Sequence, residues 1–213
     1  MNTAMDDFIV QNEQVTATIM SGGKLQVETK IVCRKQEFLC TDTYEGCTDG
    51  ILVTSTLRCT KGGGKLPRFG KAFRMEDSFD FVTYHGRNGE SYRDMKDHTQ
   101  VENVSCRVSD MTELNIKPQE SGNRCDCTWA KVSDGETEFS FTAVDKPFEL
   151  GIKPYTDTAL LSMKHRCDEI RTGTYVTVSA FQMGIGTGSC GPATRPEYCY
   201  DAKKEYTLRF IIR

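Results

Sequence analysis

Apolar and polar residues alternate with a period of two in segment after segment of this chain, and one short stretch alone departs from that pattern toward a helix. Successive side chains of a strand point to opposite faces, so such alternation commits a chain to sheets. Val15 to Met20 and Leu25 to Cys33 read as a hairpin around Ser21-Gly22-Gly23, and Phe38 to Cys40 extends the run. Ile51 to Cys59 follows the Asp49-Gly50 turn, with Ile51, Val53, Ser55, Leu57 and Cys59 on one face. Further strands are predicted from Pro67 through Met75, over Phe79 to Tyr84, Arg124 to Val132, Phe139 to Ala143, Phe148 to Lys153, and Tyr206 to Ile212. Residues 99–123 show little periodicity and read as a long irregular loop. The helix is predicted over Thr156 to Arg166, capped by Thr156 or Asp157, with Lys164, His165 and Arg166 suited to its C-terminal turn. These elements predict an all-β fold of antiparallel sheets with one short helix. Residues 1–14 read as a tail or partial strand, and residues 15–213 as a single β-sandwich domain.

A chain of 213 residues is long enough to build its own core. Its 27 basic residues stand against 30 acidic ones, a net charge of −3, and no basic cluster is longer than Lys203-Lys204. That balance argues against nucleic acid as a partner, because phosphate binding needs a basic surface. No stretch reaches the length of a membrane span, and the N-terminus MNTAMDDFIVQNEQ lacks the basic and apolar regions of a secretory signal. A cytoplasmic protein is expected. Ten cysteines would permit disulfides in a secreted chain, but several sit in apolar strand patterns where a reduced thiol packs as a small hydrophobe. Free thiols are therefore expected for most. Cys125 and Cys127, two apart, do not match zinc-site spacing, and no metal-ligating residue is assigned.

The stretch around which the rest of the chain is organised runs from Gly173 to Tyr198. It opens as a strand in which Tyr175, Thr177, Ser179 and Phe181 share one face and Val176, Val178 and Ala180 the other, so both faces can be buried. It then breaks at Gly184, Gly186, Gly188 and Gly191, where the backbone is free to approach a neighbour or a ligand closely. A dinucleotide fingerprint needs a helix after its glycines, whereas Pro192, Pro196 and another strand follow here.

The run MGIGTGSCGP followed by RPEY resembles the C-terminal region of bacterial β-galactosidases of glycoside hydrolase family two. Three further segments match that family in order. Tyr84 to Asp94 is similar to its aromatic-x-Gly-x-Gly-x-x-Glu-x-Tyr-x-Asp segment, and Pro118 to Arg124 to its Pro-Gln-Glu-x-Gly-Asn-Arg segment. Phe148, Pro154, Tyr155 and the helix ending at His165 resemble the stretch before the glycine run. The match covers roughly residues 50–213, and Trp129 stands where the family's strand often has Trp.

The resemblance implies a β-supersandwich of the galactose-mutarotase-like kind. It implies a parent enzyme that hydrolyses terminal β-galactosides such as lactose. The parent's two catalytic carboxylic acids, roughly 5 Å apart in a retaining mechanism, lie on a (β/α)₈ barrel in an earlier domain. Such a barrel takes ~250 residues of alternating strand and helix. The chain is therefore expected to be a truncated C-terminal domain with no catalytic residue of its own, inactive alone. Its implied partners are a galactoside substrate and the parent's catalytic barrel domain or a large subunit, in a homo-oligomeric parent. The resemblance implies no cofactor in this chain, the Mg and Na of the family being bound by other domains. Gly188, Ser189 and Cys190 are the implied substrate-binding residues, at the mouth of the active site, with Cys190 where an aromatic residue stacks on the sugar in other members.

Other residues carry structural alternatives. Glu120 and Asn123 could form a carboxylate/amide site, or satisfy backbone groups of their loop. Glu90 and Asp94 could do the same, with Arg87, Arg93 or Arg124 as ion-pair partners. His85 and His98 lie in loop sequence, and a mutarotase-type reaction would need a His acid and a Glu base in one cleft. The rival readings are a free-standing sugar-binding or sugar-epimerising domain, and the small subunit of a split β-galactosidase.

Overall fold

The computed structural model describes residues 10–20, 22–113, 115–186 and 191–213. Fifteen strands lie among them: β1 (Val10–Ile19), β2 (Leu25–Cys33), β3 (Glu37–Cys47), β4 (Gly50–Lys61), β5 (Lys65–Leu66), β6 (Arg68–Met75), β7 (Phe81–Arg87), β8 (Val101–Arg107), β9 (Arg124–Cys127), β10 (Trp129–Ser133), β11 (Glu138–Ala143), β12 (Phe148–Lys153), β13 (Thr174–Gln182), β14 (Tyr200–Asp201) and β15 (Tyr206–Ile212). One α-helix, α1 (Asp157–Ser162), joins them. The chain is all-β, in antiparallel sheets. Among the described residues no helix is long and apolar enough to cross a membrane. The backbone divides into two compact units, residues 1–69 with 180–213, and residues 70–179.

In the first unit β1, β2, β3, β4 and β15 pair in that order, each antiparallel to the next. Register sets opposite residues on one face: Cys40 against Leu57, Tyr44 against Val53, and Val53 in turn against Phe210. Phe38, Cys40, Val53, Leu57, Leu208 and Phe210 on that face are buried, as the alternation requires. The face loses its cover toward the edge, where every residue of β1 is exposed.

In the second unit β11, β10, β7 and β8 form one antiparallel ladder, and β6, β13, β12 and β9 form another sheet. Val82, Tyr84, Ala130, Val132, Leu150, Ile152, Val176 and Val178 are almost wholly buried. Phe73 packs on Phe141 with ring centroids 5.1 Å apart, and Phe79 on Phe139 at 5.6 Å. Both faces of β13 are buried where it ends in this unit, through Val178 on one side and Ser179 on the other.

Three sequence expectations are corrected. The helix stops at Ser162 rather than Arg166. Thr156 caps it as expected, its Oγ1 accepting from the Ala159 N–H at 3.0 Å. The Asp168 carboxylate, however, accepts the N–H groups of Lys164 and His165, both at 2.9 Å, and draws the chain into a 3₁₀ turn over Arg166–Asp168. The three basic residues therefore do not end an α-helix. Residues 99–123 are not one irregular loop, since β8 pairs with β7 along its whole length and a 3₁₀ turn follows at Val108–Met111. β8 is an edge strand whose residues are mostly exposed, so it shows no apolar alternation. β3 is a full strand of eleven residues, where Phe38 to Cys40 was all the sequence suggested. The nine described cysteines are free thiols, four of them buried, as their place in strand patterns implied.

Replacing the fully buried Phe210 by Ala should destabilise the protein by about 3–5 kcal/mol. A urea titration followed by fluorescence measures it as a fall in midpoint at unchanged slope.

Candidate functional site

The glycine-rich segment leaves β13 through a neck closed by hydrogen bonds. The Met183 N–H donates to the Pro67 carbonyl at 2.8 Å, and the Gly184 N–H to the Tyr198 carbonyl at 3.0 Å. Thr194 Oγ1 donates to the Gly184 carbonyl at 2.8 Å, tying the outgoing strand of the loop to the returning one. Gly186 has φ of +59°, and a Cβ there would lie 2.8 Å from both the backbone N and the Oγ1 of Thr194. The fold thus demands glycine at this position on two independent grounds.

Beneath the neck lies an aromatic cluster. Phe181, the last large residue of β13, stacks on Tyr200 with centroids 3.8 Å apart and planes 14° apart. Tyr206 meets the same ring at 4.6 Å and 58°, and Phe69 at 6.4 Å. Such offset and tilted contacts fix ring positions as well as burying area. Tyr206 is further held by its hydroxyl, which donates to the Asp201 carbonyl at 2.8 Å. Pro196–Tyr198 forms a 3₁₀ turn that brings the chain back to the neck. Gly188, Ser189 and Cys190 lie outside the described residues.

The second polar constellation joins two of the sequence motifs within the unit of residues 70–179. Glu90 Oε1 accepts the Gly122 N–H at 2.7 Å. Asn123 Nδ2 donates to the Ser91 carbonyl at 2.8 Å and to Glu149 Oε2 at 2.7 Å, while the Ser91 N–H donates to the Asn123 carbonyl. Ser91 Oγ accepts the Cys125 N–H at 2.9 Å. Arg124, only 4% exposed, donates from Nε to Tyr84 Oη at 3.1 Å, and that hydroxyl donates onward to the Arg87 carbonyl. Lys153 Nζ, also buried, bridges Glu120 Oε2 at 2.8 Å and Asp157 Oδ1 at 3.1 Å. Asn123 accordingly serves backbone and carboxylate, and Glu120 serves an ion pair that anchors the start of α1. Burial pushes the Glu90 carboxyl up. It also pushes the Cys125 thiol up to about 12 and the Cys127 thiol well above its ordinary value, which keeps both protonated and unreactive.

Arg87 takes a partner the sequence did not suggest. β9 opposes β12 with Cys127 at Phe148 and Arg124 at Leu150, so β9 holds one extra residue, a β-bulge. Asp126 sits in that bulge at φ +59°, the only positive φ outside glycine among the described residues. Its carboxylate accepts from Arg87 Nε at 2.7 Å and from Lys96 Nζ at 3.0 Å. Arg87 Nη1 donates at 2.7 Å to the carbonyls of both Lys96 and Thr99. Burial pulls the Asp126 carboxyl up, but the hydrogen bonds and charges of Arg87 and Lys96 outweigh it and hold it below the usual carboxylate range. Of the histidines, His85 Nδ1 lies 2.8 Å from Thr128 Oγ1, beside this bulge. His165 is held through its backbone N–H by Asp168.

The family described as β-galactosidase small chain matches residues 2–212, the neck and both polar networks included. The chain belongs to this family. The small-chain domain is 31% identical over 151 residues to a β-galactosidase of Staphylococcus xylosus, covering 68% of the chain and 15% of that protein. It is 30% identical over 178 residues to a β-galactosidase of Lactobacillus delbrueckii subsp. bulgaricus, covering 81% of the chain and 17% of that protein. It therefore spans less than a fifth of the length of these relatives. Among solved structures, a galactose mutarotase-like protein from Lactobacillus casei superposes with a TM-score of 0.52 over 94% of the small-chain domain and 72% of that chain, at 10% identity. That likeness is one of fold, and the galactose-mutarotase-like architecture implied by the motifs is the one observed.

Two substitutions test the networks. Asp126→Asn keeps a residue type that tolerates positive φ but removes the charge, so the thermal midpoint at pH 7 should fall by a few degrees. Because the folded carboxyl titrates below its unfolded value, this contribution is present above about pH 4 and lost as pH falls through the folded value; the gap between variant and wild type should close in acid. Asp126→Ala, lacking both charge and tolerance, should lose more than Asn at every pH. Glu90 titrates the opposite way: its raised folded value means that its contribution is full below about pH 4 and declines as pH rises. Scanning calorimetry should therefore show Glu90→Gln, which keeps the acceptor for Gly122, gaining on wild type from pH 4 to pH 8. Glu90→Ala leaves the Gly122 N–H unpaired and should cost about 1–3 kcal/mol throughout.

Proposed function

We propose that this chain is the non-catalytic, sugar-facing portion of a β-galactosidase, completing the galactoside pocket of a catalytic barrel carried by another part of the enzyme or by a large subunit. The observation that carries this reading is the family match over nearly the whole chain combined with the small share, 15–17%, that the chain covers of the β-galactosidases it resembles. Glycoside hydrolysis by retention takes two carboxyl groups about 5–5.5 Å apart across the scissile bond. The carboxylates described above are instead committed to structural partners: Glu120 and Asp157 to Lys153, Asp126 to Arg87 and Lys96, and Glu90 to a backbone N–H. On this reading the acid and the nucleophile come from the barrel. The Mg and Na ions of the family belong there too.

The loop from Gly184 to Pro192 reaches the sugar. Its neck is held by Pro67, Thr194 and Tyr198, and its base rests on the Phe181–Tyr200–Tyr206 stack, so a contact made at its tip would be pre-positioned at little entropic cost. Gly188, Ser189 and Cys190, between Gly186 and Gly191, are the residues that touch the galactoside.

Complementation separates this reading from a free-standing enzyme. The isolated chain should leave a chromogenic β-galactoside unhydrolysed and should not accelerate the interconversion of galactose anomers followed by polarimetry. Added to its large chain, it should restore hydrolysis. Turnover of either substrate by the chain alone, or a large chain indifferent to its addition, would overturn the proposal.

A further inference from the structure

Among the described residues β1 ends its sheet, and all ten of its residues are exposed, Val15 at 63% and Ile19 at 83%. An edge strand presents a row of unpaired backbone donors and acceptors, and natural proteins guard it with lysine, proline, a bulge or a short length. β1 has ten residues and carries neither lysine nor proline. Its one irregularity lies at the far end, between Val10 and Asn12, and its one charge is Glu13. Residues 15–19 are therefore regular, uncharged and open.

Their order is also self-complementary. Val15-Thr16-Ala17-Thr18-Ile19 reads the same in kind from either end, with Ala17 at the centre. The register with β2, in which Val15 meets Thr29, Ala17 meets Val27 and Ile19 meets Leu25, puts the odd-numbered residues on the sheet's apolar face. Continued through β3, the same face carries the buried Cys40 and Phe38. Thr16 and Thr18 share the opposite face.

We propose that β1 pairs antiparallel with β1 of a second copy of this chain about a two-fold axis at Ala17, making one continuous sheet across the two copies. In that register Val15 faces the partner's Ile19, Ala17 faces the partner's Ala17, and Thr16 faces the partner's Thr18. Apolar lies beside apolar on one face and threonine beside threonine on the other, both favourable cross-strand pairs. Directly opposed residues of an antiparallel pair share a face, so a two-fold axis through any residue of β1 makes the apolar faces coincide. Centring on Glu13 would oppose like charges, centring on Gln14, Val15 or Thr16 would set Glu13 against the partner's Val15, Ala17 or Ile19 on the apolar face, and centring on Thr18 would carry Val15 past the end of the partner's β1. Centring on Ala17 leaves the two Glu13 carboxylates eight positions apart along the ladder, about 27 Å at 3.3–3.4 Å per residue, well beyond the screening length in physiological salt. Separation of the two like charges thus favours the same register as hydrophobicity. Five residues a side make an interface below the standard size, so association should be weak and concentration-dependent.

Sedimentation velocity on the wild-type chain, over roughly micromolar to millimolar concentration, should show the mass rising from one chain toward two. Ala17→Lys and Ala17→Glu each place like charges directly opposite across the axis, and each alone should stay monomeric over the whole range. Ala17 is exposed, so circular dichroism and thermal midpoint should match wild type and exclude misfolding as the cause. An equal mixture of the two variants opposes Lys with Glu and should recover the dimer. A wild-type chain that stays monomeric, a Lys variant that associates like wild type, or a mixture that stays monomeric would each overturn the proposal. The measurement involves no galactoside, so its outcome is independent of the hydrolysis reading.

Discussion

Asn123 holds the unit of residues 70–179 together at the point where regular structure runs out. One amide and its backbone carbonyl clasp both the N–H and the carbonyl of Ser91, and the same amide reaches Glu149 on β12. The chain between β7 and β8, and the chain entering β9, have no ladder of their own to satisfy their peptide groups. Buried peptide groups must find partners or cost the fold free energy. Asn123, Glu90, Ser91 and Gly122 supply those partners, and Gly122 does so at φ +83°, where a Cβ would fall 2.2 Å from the Met111 carbonyl. The motif containing Gln119 to Arg124 is thus a set of backbone clasps before it is anything else.

The bulge in β9 follows the same logic. An extra residue breaks the ladder with β12 and turns Asp126 toward Arg87 and Lys96. Arg87 then closes two carbonyls of the loop before β8, so a single guanidinium links a strand, a bulge and a loop. Neighbouring thiols stay protonated because they are buried, not because they are poised for chemistry. The polar residues of this unit named above are committed to structural partners.

Strand positions with apolar alternation were legible in the chain, as were the Thr156 cap and the glycine break after β13. Gly184 and Gly186 stood out as sites of unusual backbone, and Gly186 proved to need positive φ. Their partners did not stand out. Pro67 and Tyr198 offer carbonyls, which every residue possesses, so no residue type marks them. Arg87 was read with the nearby Glu90 and Asp94, and its partner Asp126 lies 39 positions away on a strand where it looked like the polar residue between two cysteines. Of the two residues read as a carboxylate/amide site or as partners of loop backbone, Asn123 does serve backbone, whereas Glu120 pairs with Lys153; Lys153 and Glu149, which complete their bonds, belong to a strand that reads only as β.

By itself the amino-acid sequence determined the all-β class, the strands whose two faces differ in polarity, and the motifs that place the chain among β-galactosidase small chains. Those properties are local or periodic, and a neighbour in space is not needed to express them. Tertiary structure alone decided that β8 is a strand, that the helix stops at Ser162, and that Asp126 occupies a bulge. Each depends on a partner remote along the chain or on a side chain that outcompetes a helical hydrogen bond, and the free energy of such contacts exists only once the partners have met.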